Sequence, residues 1–343
     1  MVEFFSCLGL QVSEILGSPL YKQYENMSLY NRNKLIQAQI LRYSLNTLKN
    51  HVSNMKKYSD SCENDIFPVD KGKLHSFLVT KAEEGFTFIT IEAYYKSIKI
   101  FSQFLGYEHL SDVSTKNLMF FLQKVCKKNK PPERKGFRKS DLETLYCNVS
   151  KNGGLLSLTT LEKRSFMIIL FCYCTMARFN CLKEIRLDNL FFFKDYVKIC
   201  IPKSKTDQTG KGQYVFLINL PKINVFNVFA EYIFQLRLEK YGNAYLFPSL
   251  KWDSNGKSWY PAEKSLSYSA AYSGQKRLLK KFGFDENCFS LHSCRIGATT
   301  DSFKEGMPLH IIDKRGRWKD PTMKYVYTKE TDQELVDIIS KHV

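Results

Sequence analysis

The segment from Lys127 to Lys139 decides how this chain can be built. It reads Lys-Lys-Asn-Lys-Pro-Pro-Glu-Arg-Lys-Gly-Phe-Arg-Lys. Pro131 and Pro132 lack backbone N–H donors and hold a fixed backbone angle, so no helix runs through them. Seven of the thirteen residues are basic and one is acidic. The chain is therefore expected to fold as separate bodies joined by a charged, extended connection. A length of 343 residues suffices for that. We read residues 1–25 as an N-terminal extension, 26–126 as a helical domain, 127–139 as a basic linker and 140–343 as a second domain.

Periodicity separates the two sides. From about Asn31, Ile36, Ile40, Leu41, Tyr43 and Leu48 recur at helical spacing. Further helices are expected at Lys71–Glu84, Thr90–Leu105 and Thr115–Cys126. In the second of these, Ile91, Tyr94, Tyr95, Ile98 and Phe101 form an apolar stripe. After the linker, Ser140-x-x-Glu143 and Thr159-x-x-Glu162 have the form of capping boxes, the latter opening a helix through the apolar run Phe166–Ala177. Phe191–Phe193, Tyr196–Ile201 and Tyr214–Leu220 are β-branched and aromatic, and the polar segment Ser204–Gly212 makes the last two a hairpin. Helices resume at Asn224–Lys240 and Tyr268–Phe282. Pro308 opens a short helix with Gly316 after its basic end, and Asp320-Pro321 starts another. Thr331-x-x-Glu334 caps a last one bearing Leu335, Ile338 and Ile339. The fold class is mainly α with a small antiparallel β-sheet.

Lys and Arg total 51 against 34 Asp and Glu, a net charge of +17, which points to a polyanionic partner. The ten cysteines contain no C-x-x-C pair, so a zinc finger is not expected. Cys172 and Cys174 lie in an apolar run and read as buried thiols. Glu3 stands where a secretory signal would be basic, and Phe166–Ala177 is too short to span a bilayer. An intracellular, reducing compartment fits best, with no membrane partner.

Four signals follow in order within the second domain. Arg178 directly follows the apolar helix, in Thr175-Met-Ala-Arg-Phe-Asn-Cys-Leu182. Alone, such an Arg is usually an ion-pair partner. Lys203 and Lys205 sit on the hairpin tip, where lysines are ordinarily solvated. His292-Ser-Cys-Arg295-Ile-Gly297 places a His and an Arg at a spacing that lets both address one phosphate. Gly316-Arg317-Trp318 precedes Tyr325 and Tyr327.

This ordered set resembles the tyrosine recombinase (phage integrase) family, whose pattern is Arg, a hairpin Lys, H-x-x-R-x-G, G-[HR]-[HW] and then Tyr. The resemblance covers roughly residues 137–330, and the helices at about 30–130 are similar in outline to the family's core-binding, DNA-binding domain. The Gly-Arg-Trp version is most similar to recombinases of mobile elements, eukaryotic ones included. There are departures. Cys181 stands where the family usually has a buttressing Glu, and Trp318 where it often has a second His. The Ser-Lys-Thr context favours Lys205 over Lys203, and spacing from Trp318 favours Tyr327 over Tyr325. On a helix the two tyrosines point roughly 200° apart, so only one can face a given phosphate.

The resemblance implies Arg178, Lys205, His292, Arg295, Trp318 and Tyr327 as the catalytic set. It implies a partner, double-stranded DNA, bound as a homotetramer on paired sites. Two guanidiniums would neutralise and grip the charged phosphoryl transition state. A Tyr phenol, with an ordinary pKa near ~10, needs a base such as His292 to lose its proton. Lys205 would protonate the leaving 5′ oxygen, and Trp318 would donate its indole N–H to a phosphate oxygen. The phosphotyrosyl bond conserves the energy of the broken one, so no cofactor, ATP or metal is expected. Lys127, Lys128, Lys130, Arg134, Lys135, Arg138 and Lys203 are the candidate DNA-backbone contacts. The terminal helix has two open readings, docking on a neighbouring copy or packing on its own domain. In a eukaryotic host the expected location is the nucleus, otherwise the cytoplasm or nucleoid. Three rivals are a type IB topoisomerase-like enzyme, a catalytically dead DNA-binding regulator and an RNA-binding protein; the last leaves the ordered motifs unexplained.

Overall fold

The structure is a computed structural model. It describes residues 18–23, 26–28, 30–31, 34, 38, 43–62, 66–107, 110–126, 134–202, 212–318, 320–328, 334, 336 and 340. The chain divides into two compact units, Met1–Pro131 and Pro132–Val343.

In the first unit, α1 (Leu45–Ser61), α2 (Lys71–Glu83), α3 (Phe88–Phe104) and α4 (Val113–Val125) follow one another. Three of them begin at a side-chain oxygen that takes an otherwise unpaired N–H: Ser44 accepts from Thr47, Asp70 from Lys73 and Asp112 from Thr115. Asp112 in that role makes Thr115 the third residue of α4 rather than the first. Of the stripe expected on α3, Ile91, Tyr94, Ile98 and Phe101 are buried, packed with Met55, Tyr58, Phe77 and Leu122. Tyr95 lies at its edge and donates its hydroxyl to Leu110 O at 2.7 Å. Leu48 belongs to α1, while Ile36, Ile40 and Leu41 lie outside the described residues.

The second unit is built around one helix. α5 (Lys139–Lys151) leads through a 3₁₀ turn to α6 (Thr160–Thr175). α6 opens on the Thr159/Glu162 box and is buried at every residue from Arg164 to Thr175. A helix apolar all round has to be enclosed, and α6 is. After it come a single turn, α7 (Phe179–Leu182), the sheet β1 (Leu190–Phe192), β2 (Tyr196–Ile201) and β3 (Gln213–Ile218), α8 (Val225–Gln235), the hairpin β4 (Pro248–Asp253) and β5 (Ser258–Ser265), and α9 (Tyr268–Lys281). The last elements are α10 (Ser293–Lys304), α11 (Leu309–Gly316) and α12 (Met323–Tyr327). The sheet order is β1-β2-β3, antiparallel, with Tyr196 opposite Ile218 and Ile201 opposite Gln213. Val197, Ile199 and Ile201 face the core at alternate positions. α6 packs against α8, α9, α10 and β3.

Three local expectations change, and one hairpin is new. α5 begins at Lys139, because Asp301 on α10 accepts from both the Arg138 side chain and the Lys139 N–H; Asp141, not Glu143, then reaches back to Arg138 N. α8 stops at Gln235 instead of running to Lys240, since Leu236 and Leu238 are both buried. On a continuous helix those two would point roughly 200° apart. Arg237 in the left-handed region (φ 50°) brings both inward. Gly316 is the last residue of α11 rather than the residue beyond it, and Arg317 takes the left-handed position. The β4–β5 hairpin has no counterpart among the sequence expectations, although Asp253-Ser-Asn-Gly256 is a turn signal between its strands. Among the described residues no helix is long and apolar enough to cross a membrane.

Candidate active site

α6 ends on Met176, itself left-handed (φ 51°), and the turn points the next residues back over the core. Arg178 follows as the residue preceding α7, half-buried. His292 holds the same place ahead of α10, and Arg295 lies in that helix's first turn. The loop before them is tightly made: Ser290 N donates to Ser293 Oγ, His292 N to Ser290 Oγ, and Gln275 Nε2 to Ser290 O. Arg295 is 0 % exposed. It donates Nη1 to Met176 O and Nη2 to Gly316 O, so one side chain pins the ends of α6 and α11 together.

α12 carries the tyrosines. Lys324, almost buried, pairs with Asp313 of α11 at 2.7 Å, and Tyr325 lies against Phe303, largely exposed. Tyr327 turns the other way. Its ring centroid is 5.1 Å from that of His292 and 5.4 Å from that of Trp318, with the Arg295 guanidinium 5.1 Å away. The same guanidinium lies 4.5 Å from the Trp318 ring. The Trp318 ring in turn requires Gly316, where a Cβ would come within 2.0 Å of it.

The electrostatics are one-sided. The Arg178 charge bears on both Arg295 and Arg317, and no ion pair joins any of the three to a carboxylate among the described residues. Burial first, then the Arg178 charge, disfavours the charged form of Arg295. Arg295 Nε, Arg317 Nη1 and Nη2 and Trp318 Nε1 are buried donors with no hydrogen-bond partner among the described residues. Uncompensated buried positive charge and unused donors are costly, and a bound oxyanion would relieve both.

His292 is held neutral. Burial, then Arg295, Arg178 and Arg134, lower its pKa from 6.5 to about 4, leaving a ring nitrogen free to accept a proton at pH 7. This has a consequence for stability. Between pH 6.5 and about 4 the unfolded chain binds a proton there that the folded chain does not. The contribution is full above 6.5 and is lost as pH falls through that window. In urea unfolding of the apo protein, His292→Gln is expected to flatten the pH profile there by up to ~1.4 kcal/mol per pH unit. Parallel profiles for wild type and variant would show that His292 is not depressed.

Of the residues singled out in the sequence, Arg178, His292, Arg295, Trp318 and Tyr327 are thus brought together. Lys203 and Lys205 lie outside the described residues, as do Lys127, Lys128 and Lys130, and Leu335, Ile338 and Ile339. Arg134 and Lys135 are exposed, and the Arg134 charge reaches His292. Arg138 instead pairs with Asp301 at 2.6 Å, beside the Tyr173 hydroxyl on the same carboxylate. Cys181 is buried near Arg295 and Arg317. Arg317 escaped the sequence reading, although the Gly-Arg-Trp run contains it.

The fold has known counterparts. A XerH site-specific recombinase bound to a palindromic difH substrate superposes with TM-score 0.63 at 14% identity, covering 98% of this chain and 92% of that one. A Tn1549 transposon integrase in complex with transposon right end DNA gives 0.58 at 15%, covering 90% and 98%. A lambda integrase dimer bound to a COC′ core site gives 0.55 at 15%, covering 97% and 85%. No curated protein matches the sequence closely enough to be paired with it. The profile of the phage integrase family matches residues 135–334, more than half of the chain, a span that contains Arg178, His292, Arg295 and Tyr327. The chain belongs to the phage integrase family, the tyrosine recombinases.

Proposed function

We propose that this protein is a site-specific DNA recombinase that cuts and rejoins strands through a 3′-phosphotyrosyl link, in the movement of a mobile genetic element. The observation that carries this is the Tyr327 phenol held against His292, Trp318 and the Arg295 guanidinium, beside four buried donors with no partner. Placed there, a phosphodiester would offer its nonbridging oxygens to Arg178, Arg295 and the Trp318 indole N–H. The Tyr327 oxygen forms a bond to phosphorus as its proton leaves, with neutral His292 as acceptor. The bond from phosphorus to the 5′ oxygen breaks, and that oxygen takes a proton from Lys205. A second 5′ hydroxyl reverses these steps and reseals the strand, which needs no external energy.

Double-stranded DNA is the partner this chemistry requires, with four copies on two paired sites as the working assembly. Residues 26–126 would serve as a core-binding domain, 127–139 as a linker along the phosphate backbone and 140–343 as the catalytic domain. The working place is intracellular, and nuclear in a eukaryotic host. The most direct test is to express the full chain in cells, denature the lysate and sequence any DNA that stays attached to the protein. Covalently held DNA with common ends is the expected result. Tight native binding without any covalent DNA, even from nicked substrates, would point to a DNA-binding regulator instead.

The basic residues around the linker should separate in a salt titration of DNA binding. Each phosphate that a variant no longer neutralises lowers the log–log salt slope by ~0.9. Arg134→Ala is expected to lower it by about one such step. Arg138→Ala is expected to leave the slope nearly unchanged and to reduce stability instead, since its partner is Asp301. Equal slope changes for both would contradict the distinction.

A further inference from the structure

Arg317 is costly to the fold twice over. It caps α11 with φ 52°, the left-handed region that suits glycine and that few other residues adopt. The residue is 9 % exposed, yet both Nη atoms lack a hydrogen-bond partner among the described residues. A stabilising arginine would be expected to reach a carboxylate or carbonyl, as Arg315 does with Cys174 O and Ser302 Oγ two residues earlier. Arg317 has for neighbours the Arg178 charge and the Cys181 thiol, which stands where the family commonly has a carboxylate. Its neighbour Trp318, packed on Tyr327 and Arg295, presents its own buried indole N–H with no partner among the described residues. Strain and an unsatisfied buried charge at one residue are sustained when the residue serves a ligand.

We propose that Arg317 is a third guanidinium ligand of the phosphate that Tyr327 attacks, beyond Arg178 and Arg295. This rests on the strand-transfer reading for the identity of the phosphate but not for the existence of the site. With Cys181 in place of a carboxylate, no ion pair occupies the Arg317 fork among the described residues, and the nearby Asp313 is paired with Lys324. Its two Nη donors are left to grip the nonbridging oxygens of that phosphate as the attack of the phenolate adds negative charge to them.

The test uses inorganic phosphate and the full chain. Phosphate affinity and the melting temperature with and without phosphate are measured for wild type, Arg317→Gly, Arg317→Lys and the exposed-residue control Arg277→Gln. Arg317→Gly is expected to weaken phosphate binding about ten-fold or more, with Arg317→Lys between it and wild type. Without phosphate, Arg317→Gly should melt at or above the wild-type temperature, because glycine relieves the strained backbone and the orphaned charge leaves. Arg277→Gln should match wild type throughout. Unchanged phosphate affinity in folded Arg317→Gly overturns the proposal, as does a wild type that binds no phosphate. A lowered melting temperature with phosphate affinity intact would make Arg317 a structural residue. If phosphate binds through Arg317 while no covalent DNA forms in cells, the strand-transfer reading falls and the phosphate site stands.

Discussion

Tyr327→Phe is expected to leave no DNA covalently attached to the protein while native DNA binding persists. Phe keeps the ring and with it the packing on His292 and Trp318; only the oxygen that would bond to phosphorus is removed. Removing the nucleophile of a covalent mechanism ordinarily costs at least ~10⁴-fold, because no other step can substitute for it. The backbone around Tyr327 should not notice the change. α12 is held by the Lys324–Asp313 ion pair, by Thr328 Oγ1 to Lys324 O and by Thr300 Oγ1 to Tyr327 O. Tyr325→Phe supplies the control: its ring rests on Phe303, and covalent DNA should form at the wild-type level. If Tyr327→Phe still carries covalent DNA and Tyr325→Phe does not, the assignment is reversed.

The largest effect on folding is expected from Gly297→Ala. A Cβ at residue 297 would lie 1.8 Å from Phe137 O and 2.3 Å from Phe137 C, both backbone atoms that no rotamer change can remove. Gly136 approaches the same place from the other side, with its own Cβ position 3.0 Å from Gly297 N. The entering segment is fixed there by Phe137 N to Ser293 O and by Lys135 N to Cys288 O. An added methyl group must therefore push the segment or α10 away, and α10 carries Arg295. We expect a loss of at least ~3 kcal/mol in urea unfolding, at the upper end of overpacking effects, together with loss of the covalent adduct. A loss below ~1 kcal/mol would mean that residues 136–138 do not lie tightly on α10.

What could be read in the sequence follows from which physical signals are local. The Thr159/Glu162 box and the run Phe166–Ala177 announced α6, because capping and all-round apolarity act within one helix. His292 and Arg295 were legible as a pair, and so was the separation of Tyr325 from Tyr327, since both rest on helical spacing. The turn residues Met176, Arg237 and Arg317 were not. Each is a non-glycine residue in the left-handed region, placed there by tertiary packing with no compositional mark. The ion pair of Arg138 was hidden for a similar reason: in the sequence it is one of a basic run, and its partner Asp301 is 163 residues away. The strands β4 and β5 were hidden by polar side chains on an exposed hairpin, although Trp252 and Trp259 face each other across it.

The grip of Arg295 on Met176 O and Gly316 O also sets an order in time. Its two acceptors stand 119 residues before it and 21 after it. During synthesis, therefore, the guanidinium emerges long after its first carbonyl and waits for the second. A chain halted before residue 316 holds Arg295 by one of its two carbonyls at most. The placing of Arg295 is thereby reserved for molecules whose second unit has been made nearly in full and folded.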